Sequence, residues 1–317
     1  MPTALVLMAT YNGGIHLREQ LDSIVSQKGI DIELLIHDDC SADDTVYICK
    51  RYRDYGYSVN VIQNECNLGS NRNFMNMIYE VDADKYDIYA FSDQDDVWMP
   101  DKLQRAYEVI EQHVESCEGE SNSYLPILYY SDLINADENL ENRRRELKNL
   151  RVDYSLRATP IIRNYVSGCT IVMNGPMVKL LQKAPQTTFA TFHDAWCFQV
   201  AFYCGHVIAD VDTALIVRRL GKSNQSGEQT PNMDIKRASI GNLFKQAPRN
   251  ECQEAARCLL RGYKSYMNEH DCKMIESLST YRESIRGRIH WALSREYKCM
   301  SFLDTQLIRV KFLLGRL

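Results

Sequence analysis

The stretch Tyr86-Asp87-Ile88-Tyr89-Ala90-Phe91-Ser92-Asp93-Gln94-Asp95-Asp96-Val97-Trp98-Met99-Pro100 constrains this chain most. Its first half is a short apolar run rich in aromatic and β-branched residues, the pattern of a buried strand. Asp93, Asp95 and Asp96 then place three carboxylates within four residues, and Pro100 closes the turn before a new helix. Carboxylates grouped at the end of a buried strand are costly to ionise unless a positive charge holds them together. A divalent metal that also meets a phosphorylated ligand supplies that charge, because Mg²⁺ and Mn²⁺ take hard oxygen ligands and keep open positions for phosphate. Taken alone, the cluster reads more readily as a solvated acidic turn with Asp96 or Asp101 capping the next helix. The rest of the chain turns that balance.

Ala4-Leu5-Val6-Leu7-Met8-Ala9 is wholly apolar, as expected of a strand covered on both faces of a parallel sheet. It ends in Thr10-Tyr11-Asn12-Gly13-Gly14, after which Leu17, Leu21, Ile24 and Val25 recur at helical spacing. A glycine-containing turn is thus delivered to a helix N-terminus, whose free N–H groups suit an anion or a polar ligand edge. Glu33–His37 is a second strand, ending in Asp38-Asp39-Cys40-Ser41-Ala42-Asp43-Asp44. Ser41 and Asp44 have capping-box spacing, so Asp43 and Asp44 read as helix-start residues, while Asp38 and Asp39 sit at a strand tip where open α/β sheets bind ligands. Ser58–Ile62 is a third strand, and Arg72 near the start of the helix after it opposes the helix dipole. An anionic ligand explains that arginine; an ordinary surface arginine explains it equally well.

Four strand–helix units of this length specify a mostly parallel α/β sheet with helices on both faces, and bring Asn12, Asp39, Arg72 and Asp95 to one edge. Beyond them, Leu125–Ser131 reads as a strand, Asn139–Arg157 as an arginine-rich loop with a short helix, and Ser167–Met173 as a strand bringing Gly168 close to the site. His193-Asp194-Ala195-Trp196-Cys197 opens an apolar helix, with Asp194 as a first-turn acid or a general base. Ile208–Val217 is a last strand, followed by a polar loop from Arg218 to Gly227. The expected division is a domain over 1–227, in halves 1–115 and 116–227, with a helical extension over 228–317. Residues 286–317 hold seven Arg and Lys against Glu296 and Asp304, interleaved with Trp291, Phe302, Leu303 and Leu307. Such basic amphipathic helices either lie on an anionic membrane surface or pack on the body or in a homodimer interface.

The 317 residues with 45% hydrophobic content suffice for one large domain and an appendage. A net charge of −5 argues against a nucleic-acid partner held through its backbone. Eleven cysteines include no Cys-x-x-Cys pair, which leaves a zinc ribbon or thioredoxin-type site unsupported and suits small thiols buried in a reducing compartment. The first residues, Met1–Met8, show no basic leader, and the least polar run, Cys197–Ala209, is too short to span a bilayer. A cytoplasmic protein, peripheral at the inner face of the membrane at most, is expected.

Met8–Gly13, Asp38–Asp43, Asn67-Leu68-Gly69, Arg72-Asn73 and Ser92–Trp98 resemble, in order, the motifs of a family 2 glycosyltransferase of the GT-A fold. The wording Phe91–Leu103, Val166–Thr170 and His193–Trp196 resembles the rhamnosyltransferase-like branch that builds bacterial surface polysaccharides. The resemblance covers roughly residues 3–227. It implies a Rossmann-like GT-A domain that moves a sugar from a nucleoside diphosphate donor, dTDP-L-rhamnose as the best single guess, to a saccharide or polyprenyl-linked acceptor with inversion. On that resemblance Thr10, Tyr11 and Asn12 line the nucleotide pocket, and Asp39 accepts the N3–H of uracil or thymine. Arg72 and a Mg²⁺ or Mn²⁺ ion on Asp95 neutralise the diphosphate, and Asp93 reaches ribose and phosphate. Asp194 is the general base, with Gly168, His193 and Trp196 toward the acceptor. Two departures stand out: Leu220 occupies the place of a metal-ligating His, leaving Arg219 or Lys222 to supply charge, and Cys40 replaces a more usual Gly.

Three other readings remain. One is a UDP-sugar transferase of the same fold with another hexose. A nucleotidyltransferase lacks support because no Gly-rich, Lys-containing loop follows the first strand. An inactive scaffold in polysaccharide assembly rests on Leu220 alone, against Asp39, Asp93, Asp95 and Asp194 together.

Overall fold

Four strand–helix units open the chain: β1 (Thr3–Thr10) and α1 (Leu17–Val25), β2 (Asp31–Asp38) and α2 (Thr45–Asp54), β3 (Val59–Gln63) and α3 (Ser70–Glu80), β4 (Ile88–Ser92), then β5 (Val97–Trp98) and α4 (Lys102–Ser116). After them come β6 (Ile127–Ala136), β7 (Arg144–Arg145), α5 (Thr159–Ile162), a 3-10 turn at Gly168–Thr170, β8 (Val172–Asn174), α6 (Gly175–Gln182), α7 (His193–Cys204) and β9 (His206–Arg219). Helices α8 (Glu251–Tyr263), α9 (Glu269–Ser279), α10 (Ile285–Leu293) and α11 (Phe302–Leu314) complete it. This computed structural model describes residues 1–117, 125–147, 153–185, 191–221, 251–299 and 301–317. The predicted loop from Lys222 onward falls outside them.

The strands form one sheet in the order β3-β2-β1-β4-β8-β6-β9-β5, with β7 on β6. β1 is an interior strand because Ala4–Met8 is apolar throughout and buried on both faces between parallel partners β2 and β4. β3 continues the parallel half. The direction reverses at β8, antiparallel to both β4 and β6, and parallel pairing returns between β6 and β9. Leu17, Leu21 and Ile24 of α1 and Leu103, Ala106 and Ile110 of α4 point their helical stripes into the core under these strands.

Three local readings change. Ser167–Met173 is not a continuous strand: the backbone turns through Gly168–Thr170, and only Val172–Asn174 pairs. Arg218 and Arg219 are the last residues of β9 rather than the start of a loop. Val97 and Trp98, read as part of a turn, pair with Val217 and Ile216 as β5.

The chain forms two compact units. The first comprises Met1–Lys148, Val166–Gln186 and Phe192–Arg219; the second comprises Asn149–Tyr165, Thr187–Thr191 and Leu220–Leu317. Within the second, Arg157 grips the fully buried Asp271 carboxylate through Nε at 2.9 Å and Nη2 at 2.6 Å. Trp291 stacks on Phe312 at 5.7 Å, with Tyr281 and Tyr297 against the same ring. No described helix is long and apolar enough to cross a membrane.

Candidate active site

β1, β2 and β4 run in register, Thr10 opposite Asp38 and Met8 opposite Ser92, so their carboxyl ends share one edge. The first two tips are tied together by side chains. Thr10 Oγ1 donates to Asp38 Oδ2 at 3.0 Å, and Ser41 donates its N–H and hydroxyl to the same carboxylate. Asn12, at φ +47°, accepts from Ala42 N at 2.9 Å and donates its own N–H to Ser41 Oγ. Gln94, from the acidic stretch, reaches back to bracket Tyr11, accepting from its N–H at 2.8 Å and donating to its carbonyl at 3.1 Å. A Cβ on Gly13 would meet Gln94 Oε1 at 2.1 Å, so the close approach depends on that glycine. Of the three residues expected at a nucleotide, Thr10 is sealed at 2% exposure, while Tyr11 leaves half its surface to solvent.

Ser41 thus serves the strand tips instead of a capping box with Asp44. Asp43 does hold the start of α2, as expected, accepting from Thr45 N and Gly14 N at 3.0 Å each. Cys40 adopts φ +71°, a left-handed conformation that costs a non-glycine residue roughly 1 kcal/mol or more. The departure from Gly is therefore a strained one.

Asp39 is buried and already committed. Its carboxylate accepts from Leu68 N at 2.7 Å, Gly69 N at 2.8 Å and Asn64 Nδ2 at 2.9 Å. A carboxylate offers about four lone-pair positions, so one remains for a base N–H. Asp39 fixes the turn that starts α3, where Gly69 sits at φ +82°. Arg72, one turn in, is exposed and has no ion-pair partner among the described residues.

The acidic stretch gathers at the same edge. Burial, reinforced by Asp95 and Asp194 and opposed by Arg218, pushes the Asp93 carboxyl up to about 7. Asp95 is raised by burial, with His16, Arg219 and Arg218 pulling the other way. Asp96, 1% exposed, is driven well above the usual carboxylate range by burial and by its two acidic neighbours. Neither Asp96 oxygen meets an N–H or O–H donor among the described residues. Ligand atoms of Asp93, Asp96 and Cys169 lie within 4.8 Å of one another. Asp96 and Cys169 are closed to solvent, however, whereas Asp93 and Asp95 are only part-buried. The outward pair is the one a hard cation can reach, and orphaned carboxylate oxygens behind it favour a positive ion in front. The donor set fits Mg²⁺ or Mn²⁺. Lys102, sealed at 1% exposure, sits 3.5 Å above the Trp98 ring, and burial lowers its ammonium to about 7.

Asp194 in the first turn of α7 faces this group. Burial raises its carboxyl to about 6, against backbone N–H bonds from Ala195, at 2.6 Å, and from Gly168. His193 stacks on Phe74 at 4.2 Å and meets Asn71 Oδ1 at 3.2 Å, and burial holds it down to about 3, hence neutral. Gly168 lies against both, since a Cβ there would meet His193 Nε2 at 2.7 Å and Asp194 Cβ at 3.5 Å. Trp196 is 1% exposed, which removes it from the acceptor surface: three residues beyond His193 it points into the core.

Arg218 was missed by sequence reasoning. Its Nε donates to Asn135 Oδ1 at 2.9 Å and Nη1 to Ser167 Oγ at 3.0 Å, while Nη2 pairs with Glu146. That grip holds its charge beside Asp93, Asp95 and Asp96. Arg219 pairs with Glu19 and donates to the Glu138 carbonyl. Leu220 is 41% exposed. The only signal was two arginines directly after an apolar strand. A recess bounded by Asp84, Tyr86, Asp87 and Glu111 lies at the opposite end of β4 and shares no residue with this group.

Residues 5–156 match the family model Glycosyl transferase family 2. That segment is a family 2 glycosyltransferase segment. The fold of the chain is GT-A: the TarS fragment of S. aureus, solved in complex with UDP-GlcNAc, superposes with a TM-score of 0.60 at 17% identity, covering 100% of this chain and 80% of that one. A mannosyltransferase from Pyrobaculum calidifontis, in complex with GDP-Man and Mn²⁺, gives 0.52 at 14% identity, covering 99% and 87%. In sequence this chain is 39% identical over 112 residues to dTDP-rhamnosyl transferase RfbG of Shigella flexneri, covering 35% of this chain and 39% of that protein. It is 32% identical over 110 residues to an uncharacterized glycosyltransferase of Haemophilus influenzae, covering 34% of each. The matches thus span well under half the length of these relatives. Gly168, His193 and Asp194 lie beyond the matched family segment.

Proposed function

We propose that the protein is an inverting glycosyltransferase whose donor is a nucleoside diphosphate sugar, with dTDP-L-rhamnose the best single choice and Asp194 the general base. The observation that carries this is the convergence of Asp93, Asp95 and Asp194 at one sheet edge, close enough that Asp194 raises Asp93. A carboxyl held near 6 is ionised at neutral pH yet remains basic enough to accept a proton. Tyr11 offers a ring to the base, and the free position on Asp39 suits a pyrimidine N3–H, which uracil and thymine carry and cytosine lacks. Arg72 and the start of α3 suit the diphosphate. Asp95 and Asp93 would hold Mg²⁺ or Mn²⁺, which when bound neutralises charge on the departing diphosphate. Asp194 takes the proton of the acceptor hydroxyl as that oxygen bonds the anomeric carbon. The bond from that carbon to the diphosphate oxygen breaks on the opposite face, so one displacement inverts configuration. Gly168 and neutral His193 border the acceptor side.

The likeness to an RfbG named for dTDP-rhamnose supports rhamnose, and the UDP-GlcNAc in TarS supports the alternative of a UDP-hexose. The acceptor is a saccharide, or one linked to a polyprenyl diphosphate in cell-surface polysaccharide assembly. In the second unit Ile285, Ile289 and Leu293 of α10 and Phe302, Leu303 and Leu313 of α11 are exposed among basic residues, which supports a peripheral membrane contact through 286–317. A homodimer contact through the same face is the alternative, and deletion of 286–317 with vesicle sedimentation tells them apart.

A melting panel of dTDP, UDP, GDP and CDP, each with and without Mn²⁺, tests the donor site. A nucleotide at a hundred times its dissociation constant adds about 2.7 kcal/mol. Stabilisation by dTDP or UDP alone, dependent on Mn²⁺ and lost in Asp95→Asn, supports the reading. No response to any nucleotide would leave an inactive scaffold, the reading that Leu220 favours.

A further inference from the structure

A second group of ligating side chains lies in the first unit at the other end of β9. His113 and Cys117 stand four residues apart at the end of α4, hence on one helix face, and His206 is the first residue of β9. His113 Nε2 is 3.2 Å from His206 Nδ1 and 3.8 Å from Cys117 Sγ, and the three ligand atoms lie within 4.8 Å of one another. A tetrahedral ion with bonds of about 2.0–2.1 Å to nitrogen and about 2.3 Å to sulfur separates its ligands by roughly 3.3 Å between nitrogens and roughly 3.6 Å between nitrogen and sulfur. The two separations from His113, to His206 and to Cys117, already approximate those edges. The imidazole planes cross at 63°, so the two nitrogens converge without ring stacking.

A hydrogen bond between the two imidazoles would account for the shorter distance but not for a thiol aimed at the same nitrogen. All three residues are part-buried, open enough for an ion to enter and covered enough to limit competition from water. Two imidazoles and a thiolate are a borderline-soft set, suited to zinc and unlike the carboxylates of the donor edge, which suit magnesium or manganese.

We propose that His113, Cys117 and His206 bind one zinc-class ion, with water in the fourth position, at a site separate from the carboxylate edge. Binding displaces the thiol proton of Cys117 and ties the end of α4 to the start of β9. The metal oxidation state does not change.

Cobalt is the probe. Added to the metal-free full chain, Co²⁺ should give tetrahedral ligand-field bands and a thiolate-to-cobalt charge-transfer band that saturate at one ion per chain, and Zn²⁺ should bleach both. Cys117→Ser should abolish the charge-transfer band, and His113→Gln or His206→Gln should weaken binding at least ~10-fold, the scale of losing even outer-shell support. Asp95→Asn should leave the spectrum unchanged, which separates this site from the donor site. Should a variant fail to fold, alkylation of the wild type followed by peptide mass spectrometry serves instead. Zn²⁺ should slow modification of Cys117 and leave the exposed Cys40 and Cys66 unaffected. A spectrum without a thiolate band, a band that survives in Cys117→Ser, or unprotected Cys117 would overturn the proposal.

Discussion

Asp194→Asn should stabilise the folded protein while removing its activity, and the stabilisation should depend on pH. Burial raises the Asp194 carboxyl from its usual 3.8 to about 6, so the folded state binds the proton more tightly than the unfolded chain does. The group therefore favours folding below the unfolded pKa, and that benefit is lost as pH rises through the folded one. At about 1.4 kcal/mol per tenfold change in proton affinity, the ionised form costs at most roughly 3 kcal/mol above pH 6. Asparagine keeps an oxygen for the Ala195 and Gly168 N–H groups but leaves amide hydrogens without a buried acceptor, at about 1 kcal/mol. Relief of Asp93, which Asp194 pushes upward, acts in the stabilising direction. A net gain of about 1–2 kcal/mol, or about 2–6 °C in melting midpoint at pH 8, should result, shrinking toward zero near pH 4. Differential scanning calorimetry across that range reads it directly. Turnover should fall about 10²–10⁴-fold with nucleotide binding retained, and wild-type kcat/KM should decline below pH ~6. An asparagine variant that melts at or below wild type at pH 8, or whose advantage is independent of pH, would refute this account of the carboxyl.

Gly168→Ala brings a methyl within 2.7 Å of His193 Nε2, and with His193 clamped on Phe74 the start of α7, Asp194 included, must shift, so turnover should fall about 100-fold with little change in nucleotide affinity. Arg218→Met strips the positive charge from the acidic edge and leaves Glu146 without its partner, and urea denaturation should show a loss of about 3–5 kcal/mol, partly recovered by Glu146→Gln. Cys40→Gly relieves a left-handed backbone at φ +71° and should raise the urea midpoint by about 0.5–1 kcal/mol in stability, net of the extra freedom of the unfolded chain.

The amino-acid pattern alone determined the parallel half of the sheet. Ala4–Met8 and Ile88–Phe91 are apolar without interruption, which only strands covered on both faces tolerate, and each is followed by a helical stripe at short range. It also put Asp39, Asp93 and Asp95 just past strand ends, and those ends share one edge once the units are parallel. Local periodicity could not determine what joins from afar. β5 is two residues long and has no strand pattern, yet its pairing with Val217 and Ile216 carries Arg218 to the carboxylates from over a hundred residues away. Nor could spacing reveal that Thr10 and Trp196 are sealed, that Asp39 is bonded to Leu68 and Gly69, or that Gly168 turns where a strand was expected. His113, Cys117 and His206 escaped for the same reason, because no short motif joins a helix end to a distant strand start. Apolar periodicity reports which face of an element is buried, and that is a local property. The partners of a charge are set by the sheet order, which only the folded chain decides.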